Sequence, residues 1–482
     1  MIKGAGDLAT GIAWRLKKCG HDIVMTETDV PTTVRRTVAF SRAVYEQKAA
    51  VEGIEAEYAG KYGNAQDMDT TIRTLPVRVE EILSMDRIAV ITDPEAALLN
   101  DFRPEVLIDA IIAKKNTGTS INNAAMVIGV GPGFTAGRDC HCVIETKRGH
   151  YLGKVIYTGS AIPDTGVPGD IGGYTVERII RAEADGIFIP VRQIGERTEK
   201  GDLLAKVFVD MNAVDKGEGI PVYAQIPGII RGMLQEGVVV FKGMKCGDID
   251  PRCEQEHCHT ISDKARAIAG GALEAVSRFE RRRNSLGIVL LASGEGKRYG
   301  ANKLLDTVNG KRMFEWVFDS VCDIGNDLHI NRGYSGIVVV TAWDEIAGYA
   351  GNRHVLTVRN NCPEKGISYS LGLGLKELMR QGYENILFAV CDQPGLTSDS
   401  FVKLINGYAS SDKGLACLGQ GEDRLGNPCI FSKKYFGELA RLIGDVGGKR
   451  VIMAHREDLV IVNATDGELK DVDFPHLAMN IP

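Results

Sequence analysis

The 482-residue sequence has no apolar run near the ~20 residues that a membrane-spanning helix needs, and its N-terminus lacks the basic and apolar regions of a secretory signal. These absences predict a cytoplasmic protein with no membrane partner. Excess positive charge is missing too. With 57 Lys and Arg against 63 Asp and Glu the formal net charge is -6, a poor match for a nucleic-acid backbone, although a local basic patch can still hold a nucleotide's phosphates. The 11 Cys are odd in number and scattered, so they lack the pattern of a disulfide framework, and reduced thiols are expected. Hydrophobic residues at 44% and charged ones at 25% are globular values that argue against disorder.

Glycine is abundant, at 56 residues, which predicts many tight turns and close backbone approaches. The length exceeds what one hydrophobic core supports, and three domains are expected, over 1–130, 131–283 and 285–482. The opening "MIKGAGDLATGIAWRLKKCGHDIVMTETD" passes from a glycine turn through an amphipathic helix into an apolar strand from Asp22 to Thr26, the start of a βαβ unit. Only Met1 to Lys3 precede the turn, so the first strand is either very short or begins upstream. Further apolar stretches, "RIAVITDP" and "EVLIDAII", alternate with helical patterns and predict a Rossmann-like parallel sheet. Gly4, Gly6 and Ala9 fit a dinucleotide fingerprint, with Glu27 as a candidate ribose partner. Gly4, Gly6, Asp7 and Glu27 are therefore a candidate ligand site, for which a dinucleotide is one reading and a scaffold without cofactor the simpler one. Asp7 sits awkwardly beside a pyrophosphate.

Closely spaced glycines from Gly129 to Gly173 predict turn-dense β structure. From Gly186 to Asp250, short strands broken by Gly or Pro-Gly resemble the barrel-sandwich fold of biotinyl and lipoyl domains, but "AQIPGII" has no lysine where such carriers present one. A structural or docking role is expected there. A helix from about Ser262 to Phe279 ends in the charge run "ERRRNS", read as the main boundary. After it, strands and helices alternate in the order of a doubly wound α/β domain.

The segment "LASGEGKRYGANKLL" follows an apolar strand. Gly294, Gly296 and Gly300 would let backbone N–H groups approach phosphate oxygens, while Arg298 and Lys303 neutralise them. No Gly-Lys-Ser/Thr closes the loop, so it is not a Walker A motif. Asp392, at the end of the strand "ILFAVC", stands where ligands bind in open α/β sheets and suits Mg²⁺, the bland alternative being a cap on the next helix.

This loop resembles the signature of the molybdenum cofactor nucleotidyltransferases, a family with the nucleoside-diphosphate-sugar transferase-like fold. Three further blocks follow in the family's order: Gly366, Ser368 and Ser370 in "GISYSL"; Asp392, Gln393 and Pro394; and "GNPCIF" with "LIGDVGGKR". The resemblance implies transfer of CMP from CTP, or GMP from GTP, to the phosphate of molybdopterin with release of pyrophosphate. It implies catalytic roles for Arg298, Lys303 and Asp392, and nucleotide contacts from Leu291, Ala292, Ser293, Gly294, Gly296, Gly366, Ser368 and Ser370. Mg²⁺ would be held by Asp392 and Asp445, although Gly-Asp-x-Gly is equally a common turn. The sequence departs from the family at Ser293, Tyr299 and Arg450, which leaves the base open. The side chain at 293 favours CTP, since the guanylyl branch has glycine there.

The N-terminal half, through "GAGDLATGIAWRL", "ETDVPTTVRRTVAFSRAVYE", "TGVPGDIGG" and "TISDKARAIAGG", resembles the accessory family of selenium-dependent molybdenum hydroxylases (YqeB-like). That implies an apo molybdenum hydroxylase as partner. Competing readings are a sugar-nucleotide pyrophosphorylase and a non-catalytic cofactor chaperone. Arg35 and Arg36 read as a solvated face or an anion site. Cys140 with Cys142, and Cys253 with His257, Cys258 and His259, lack zinc-finger spacing and read as buried or incidental rather than as metal or selenium sites. Because all four transferase blocks follow the charged run, residues 285–482 are predicted to fold and transfer nucleotide alone. A folded but inert fragment beside an active full chain would overturn this.

Overall fold

The computed structural model describes residues 1–63, 68–164, 166, 171–210, 214, 217–294, 302–327 and 336–472, with the backbone alone at 68–74 and 325–327. The chain forms two compact α/β units, Met1–Val276 and Ser277–Pro482. Among the described residues no helix is long and apolar enough to cross a membrane.

The first unit is built on a nine-stranded sheet. Seven strands run parallel, in the spatial order Cys142–Ile144, Met126–Val130, Val106–Asp109, Ile2–Lys3, Val24–Glu27, Ile88–Thr92 and Ile54–Lys61, with an antiparallel strand at each edge. Strands covered on both faces read as apolar runs, and Ile88–Thr92 and Met126–Val130 are buried at every position. The first strand is two residues long yet central, paired on both sides. From it the chain winds to one edge and then returns to its other side, so the sheet reverses direction between Ile2–Lys3 and Val106–Asp109. Gly4, with φ of 88°, follows the first of these strands; a Cβ there would stand 3.2 Å from the Ala110 carbonyl oxygen after the second.

Residues 179–250 form two four-stranded antiparallel sheets that share a core including Phe188, Leu204, Ile230 and Cys246, the barrel-sandwich arrangement that the glycine spacing predicted. Arg35 and Arg36 are not a solvated face. Arg35 is buried and donates to the carbonyl oxygens of His257 (3.0 Å) and Thr260 (3.1 Å), and Arg36 donates to that of Met233 (3.3 Å). These bonds tie the segment after Val24–Glu27 to the barrel.

The second unit's sheet has seven strands, in the order Leu356–Arg359, Ile337–Thr341, Leu286–Ala292, Asn385–Val390, Arg424–Ser432, Leu415–Gln420 and Leu459–Asn463. Winding proceeds both ways from Leu286–Ala292, as expected of a doubly wound domain, but Arg424–Ser432, which carries the "GNPCIF" block, runs antiparallel to both neighbours. Alternate residues divide between two cores. Ile288 and Leu290 face the one holding Phe314, Phe318 and Phe401, while Val289 faces the one holding Leu371, Leu375 and Phe436.

The run "ERRRN" is the end of the helix Asp263–Asn284, not a linker. Glu and Arg are good helix formers, and Arg281, Arg282 and Arg283 complement the negative end of the helix dipole. Arg282 donates to the carbonyl oxygens of Ser411 (2.6 Å) and Lys413 and lies 3.8 Å over the Tyr408 ring. A fragment starting at residue 285 loses all three contacts. Charged hydrogen bonds and a cation–π contact are each worth about 1–2 kcal/mol, so residues 277–482 should resist urea by about 2 kcal/mol or more beyond residues 285–482. Equal midpoints would show that these contacts contribute nothing.

Candidate functional site

In the second unit the winding reverses between Leu286–Ala292 and Asn385–Val390, so the loops after these strands open on the same crevice. The Cys391 amide donates to the Leu291 carbonyl oxygen (3.2 Å), which joins the two loop roots. Asp392 follows, and its Oδ2 lies 2.7 Å from Lys303 Nζ, with the two side chains 23% and 13% exposed. Lys303 is therefore no solvated surface lysine. It opens a short 3₁₀ turn, Lys303–Leu305, capped by Asn302. Nor does Asp392 cap the next helix, because Thr397 does so through a capping box with Ser400.

The other oxygen of Asp392, Oδ1, is buried and without a hydrogen-bond partner among the described residues. An orphaned carboxylate oxygen is costly unless something pairs with it, and a hard cation such as Mg²⁺ fits that vacancy in type. Behind it, Val472 donates its amide to the Asp392 carbonyl oxygen (3.1 Å) and Gln393 donates to Asp471 (2.6 Å). Burial and the Asp392 charge push the Cys391 thiol pKa up, so it stays protonated.

Ser293 is buried and its hydroxyl donates to the Val340 carbonyl oxygen (3.0 Å), while Thr341 donates to that of Ala292 (2.9 Å). These bonds fix the start of the loop. The Ser293 hydrogen is engaged within the protein, so toward a base the oxygen is left as an acceptor. Gly294 is exposed and its φ is not left-handed; its missing Cβ leaves open space rather than making a turn. Arg298, Gly296, Tyr299 and Gly300 lie outside the described residues. Leu291 is partly buried and Ala292 fully so.

Two blocks 76 residues apart meet at the start of the helix Ile367–Arg380. The Ser368 hydroxyl donates to the Gly444 carbonyl oxygen (2.7 Å), and a Cβ on Gly366, whose φ is 84°, would stand 2.6 Å from that same carbonyl. Ser370 accepts from Asn360 Nδ2 (2.9 Å). Ser368 and Ser370 are both buried and bonded internally. Asp445 is exposed beside Gly444, in the turn that closes on Gly366.

The supporting residues Thr341, Asn360 and Asp471 were not picked out from the sequence. Thr341 and Asn360 had a signal, being polar residues at the carboxyl ends of apolar strands; Asp471 is distant in sequence and had none.

Residues 288–459 match the family model described as a MobA-like NTP transferase domain. The second unit carries a nucleotidyltransferase domain. Over the N-terminal half, the chain is 44% identical across 276 residues to YqeB, an uncharacterized protein of Escherichia coli (strain K12), covering 57% of this chain and 47% of that protein. The chain thus spans about half the length of this relative. Similar solved structures include a nucleotidyl transferase from Methanothermobacter thermautotroptrophicus (22% identity, 39% of this chain and 92% of that one, TM-score 0.33). Another is molybdopterin-guanine dinucleotide biosynthesis protein A from Archaeoglobus fulgidus (15% identity, 40% and 94%, TM-score 0.31).

In the first unit, the Ala5 amide of the glycine turn is engaged within the protein. Glu27 Oε2 accepts from the Ala5 amide (3.0 Å) and its Oε1 from that of Thr28 (2.8 Å), while burial raises the carboxyl pKa. Glu27 thus closes the turn instead of reaching outward to a ribose. Gly6 precedes the helix Asp7–Lys18, and Asp7 pairs with Arg35 (3.5 Å). Cys140 and Cys142 are buried, with burial pushing the Cys140 thiol up to about 12. His141 accepts from the Val127 amide at Nδ1 (2.9 Å), and burial pulls its pKa down to about 4, so it is a neutral structural residue. Among the described residues no three His, Cys, Asp or Glu are placed to hold a metal, and Cys258 is buried against the Ile230 carbonyl oxygen (3.7 Å).

Asp392→Asn keeps the shape of the site and removes the charge beside Lys303. By analogy with a single oxyanion donor, nucleotidyl transfer by the domain should fall by about 3 kcal/mol, roughly a hundredfold. Activity within a few-fold of the unchanged protein at limiting Mg²⁺ would show that another carboxylate holds the metal.

Proposed function

We propose that the second unit transfers CMP from CTP to the terminal phosphate of molybdopterin, releasing pyrophosphate, in the maturation of molybdenum hydroxylases. The observation that carries the reading is the Lys303–Asp392 pair at the reversal of the sheet, with Asp392 Oδ1 buried and unpaired among the described residues. The order of the four sequence blocks around it supplies the substrate class.

A molybdopterin phosphate oxygen attacks the α-phosphorus, the bond from that phosphorus to the bridging oxygen breaks, and pyrophosphate leaves with the electron pair. Little covalent work falls to the protein, so positioning and charge stabilisation dominate. Asp392 and Asp445 would hold Mg²⁺, which supplies positive charge against the triphosphate. Lys303 stabilises charge gathering on the α-phosphate, and Arg298 restrains the leaving pyrophosphate. The Lys303 ammonium, held by Asp392 before substrate arrives, needs little reorganisation to do so. An apo molybdenum hydroxylase is the partner that would take the product, in keeping with the resemblance of the N-terminal half.

CTP is the expected nucleotide. Ser293 fills space that a purine would need, and its oxygen, held by the bond to Val340, faces the base as an acceptor suited to the cytosine amino group. The check is kcat/KM for CTP, GTP and ATP with molybdopterin, for the unchanged protein and for Ser293→Gly. Preference for CTP should be about tenfold or more and should shrink in the variant, since a lost methylene-sized contact is worth about 1–3 kcal/mol. Equal or better use of GTP by the unchanged protein would refute the base assignment while leaving the transferase reading intact.

A further inference from the structure

The first unit contains a chamber of about 1120 Å³ that the transferase chemistry does not use. One wall is the carboxyl edge of the nine-stranded sheet, with Gly4, Glu27, Asp93 and Ala110 following four of its parallel strands. The opposite wall comes from the barrel and from the start of the helix Asp263–Asn284. It thus lies over the point where the winding of the sheet reverses, the usual place for a ligand in such folds.

Its charge is unlike that of the chain. Nine basic side chains line it against six acidic ones, in a protein whose net charge is -6. Several of the cations are committed. Arg178 and Arg231 share the buried Asp248, and Arg148 makes a two-pronged pair with Asp263 (2.6 and 2.9 Å). Arg231 also reaches Asp250 (3.4 Å), which Arg252 shares, so three guanidiniums on two carboxylates leave positive charge over. Arg178 is 8% exposed, and its Nε has no hydrogen-bond partner among the described residues.

Lys245 and Lys264 also line the chamber, and neither has a carboxylate within salt-bridge distance or a hydrogen bond among the described residues. Burial pulls both ammonium pKa values down, against Asp248 for Lys245 and with Arg148 for Lys264. The Lys245 side chain is exposed and that of Lys264 half-buried, so both can meet a ligand. Cations gathered beside guanidiniums repel one another unless an anion joins them. The volume is far more than inorganic phosphate fills, and small-molecule sites commonly span about 300–1000 Å³.

We propose that this chamber binds a small organic molecule carrying a diphosphate, or two adjacent phosphates, with Lys245 and Lys264 as its principal charge partners. The phosphates are held from the barrel wall. The glycine turn contributes shape and closeness, because its Ala5 amide is already bonded to Glu27. This site is independent of the transferase reading.

The test is calorimetric titration of the full chain with inorganic pyrophosphate at low ionic strength, in an Arg298→Ala, Lys303→Ala background that removes the proposed pyrophosphate contacts of the second unit. Saturable binding is expected to remain. It should weaken about tenfold or more when Lys245→Ala and Lys264→Ala are added, and be kept within a few-fold by the two Lys→Arg changes. The alanine variant without ligand should melt no lower than its parent, since it loses cations that make no ion pair among the described residues. Absence of saturable binding, undiminished binding in the alanine variant, or a clear fall in its melting temperature would each overturn the proposal, the last by making the lysines structural.

Discussion

A half-buried carboxylate with one oxygen on a lysine and the other, buried, on no partner among the described residues is the constraint around which the second unit is arranged. Asp392 can hold that state because it stands at the reversal of a sheet, where the backbone ends of two strands diverge and a crevice opens. Several neighbouring polar groups are fastened. Ser293 and Thr341 bond across Leu286–Ala292 and Ile337–Thr341, Gln393 is tied to Asp471 through its Nε2, and Ser368 to Gly444. Among the described residues, Asp392 Oδ1 and Gln393 Oε1 stay buried without a partner.

The first unit repeats the logic with the sign changed. Its sheet also reverses, over a chamber whose walls hold lysines that nothing within the described protein neutralises. In both units the sheet is apolar, and the electrostatic imbalance faces the space over its carboxyl edge, in the first unit from the opposite wall. Groups that would weaken a core are concentrated where a ligand can complete them.

Much of the scaffold was legible because periodicity reports burial. Strands such as Ile88–Thr92 and Asn385–Val390 are apolar but for one terminal residue. In the barrel Gly195, Gly201, Gly237 and Gly243 fall at turns, while Gly186, Gly228 and Gly247 lie within strands at close backbone approaches. The charged run after Phe279 misled, since a solvated helix end and a linker share the same composition, and only its bonds to Ser411 and Lys413 distinguish them. Arg35 misled in the same way: a guanidinium can be buried once carbonyl oxygens 222 and 225 residues away surround it, a pairing invisible in local sequence.

The sequence by itself determined the order of strands and helices, the glycine loop after Leu286–Ala292 and the position of Asp392, because each depends on residues near in the chain. The tertiary structure decided which polar groups remain free. The fingerprint at Gly4 and Gly6 left a dinucleotide turn and a scaffold without cofactor both open, with the Glu27 bond to the Ala5 amide visible only in the fold, and Lys245 and Lys264 carried no signal until the barrel closed over the sheet. Hydrogen-bond and charge satisfaction are sums over all neighbours in space, so they exist only once distant segments have packed.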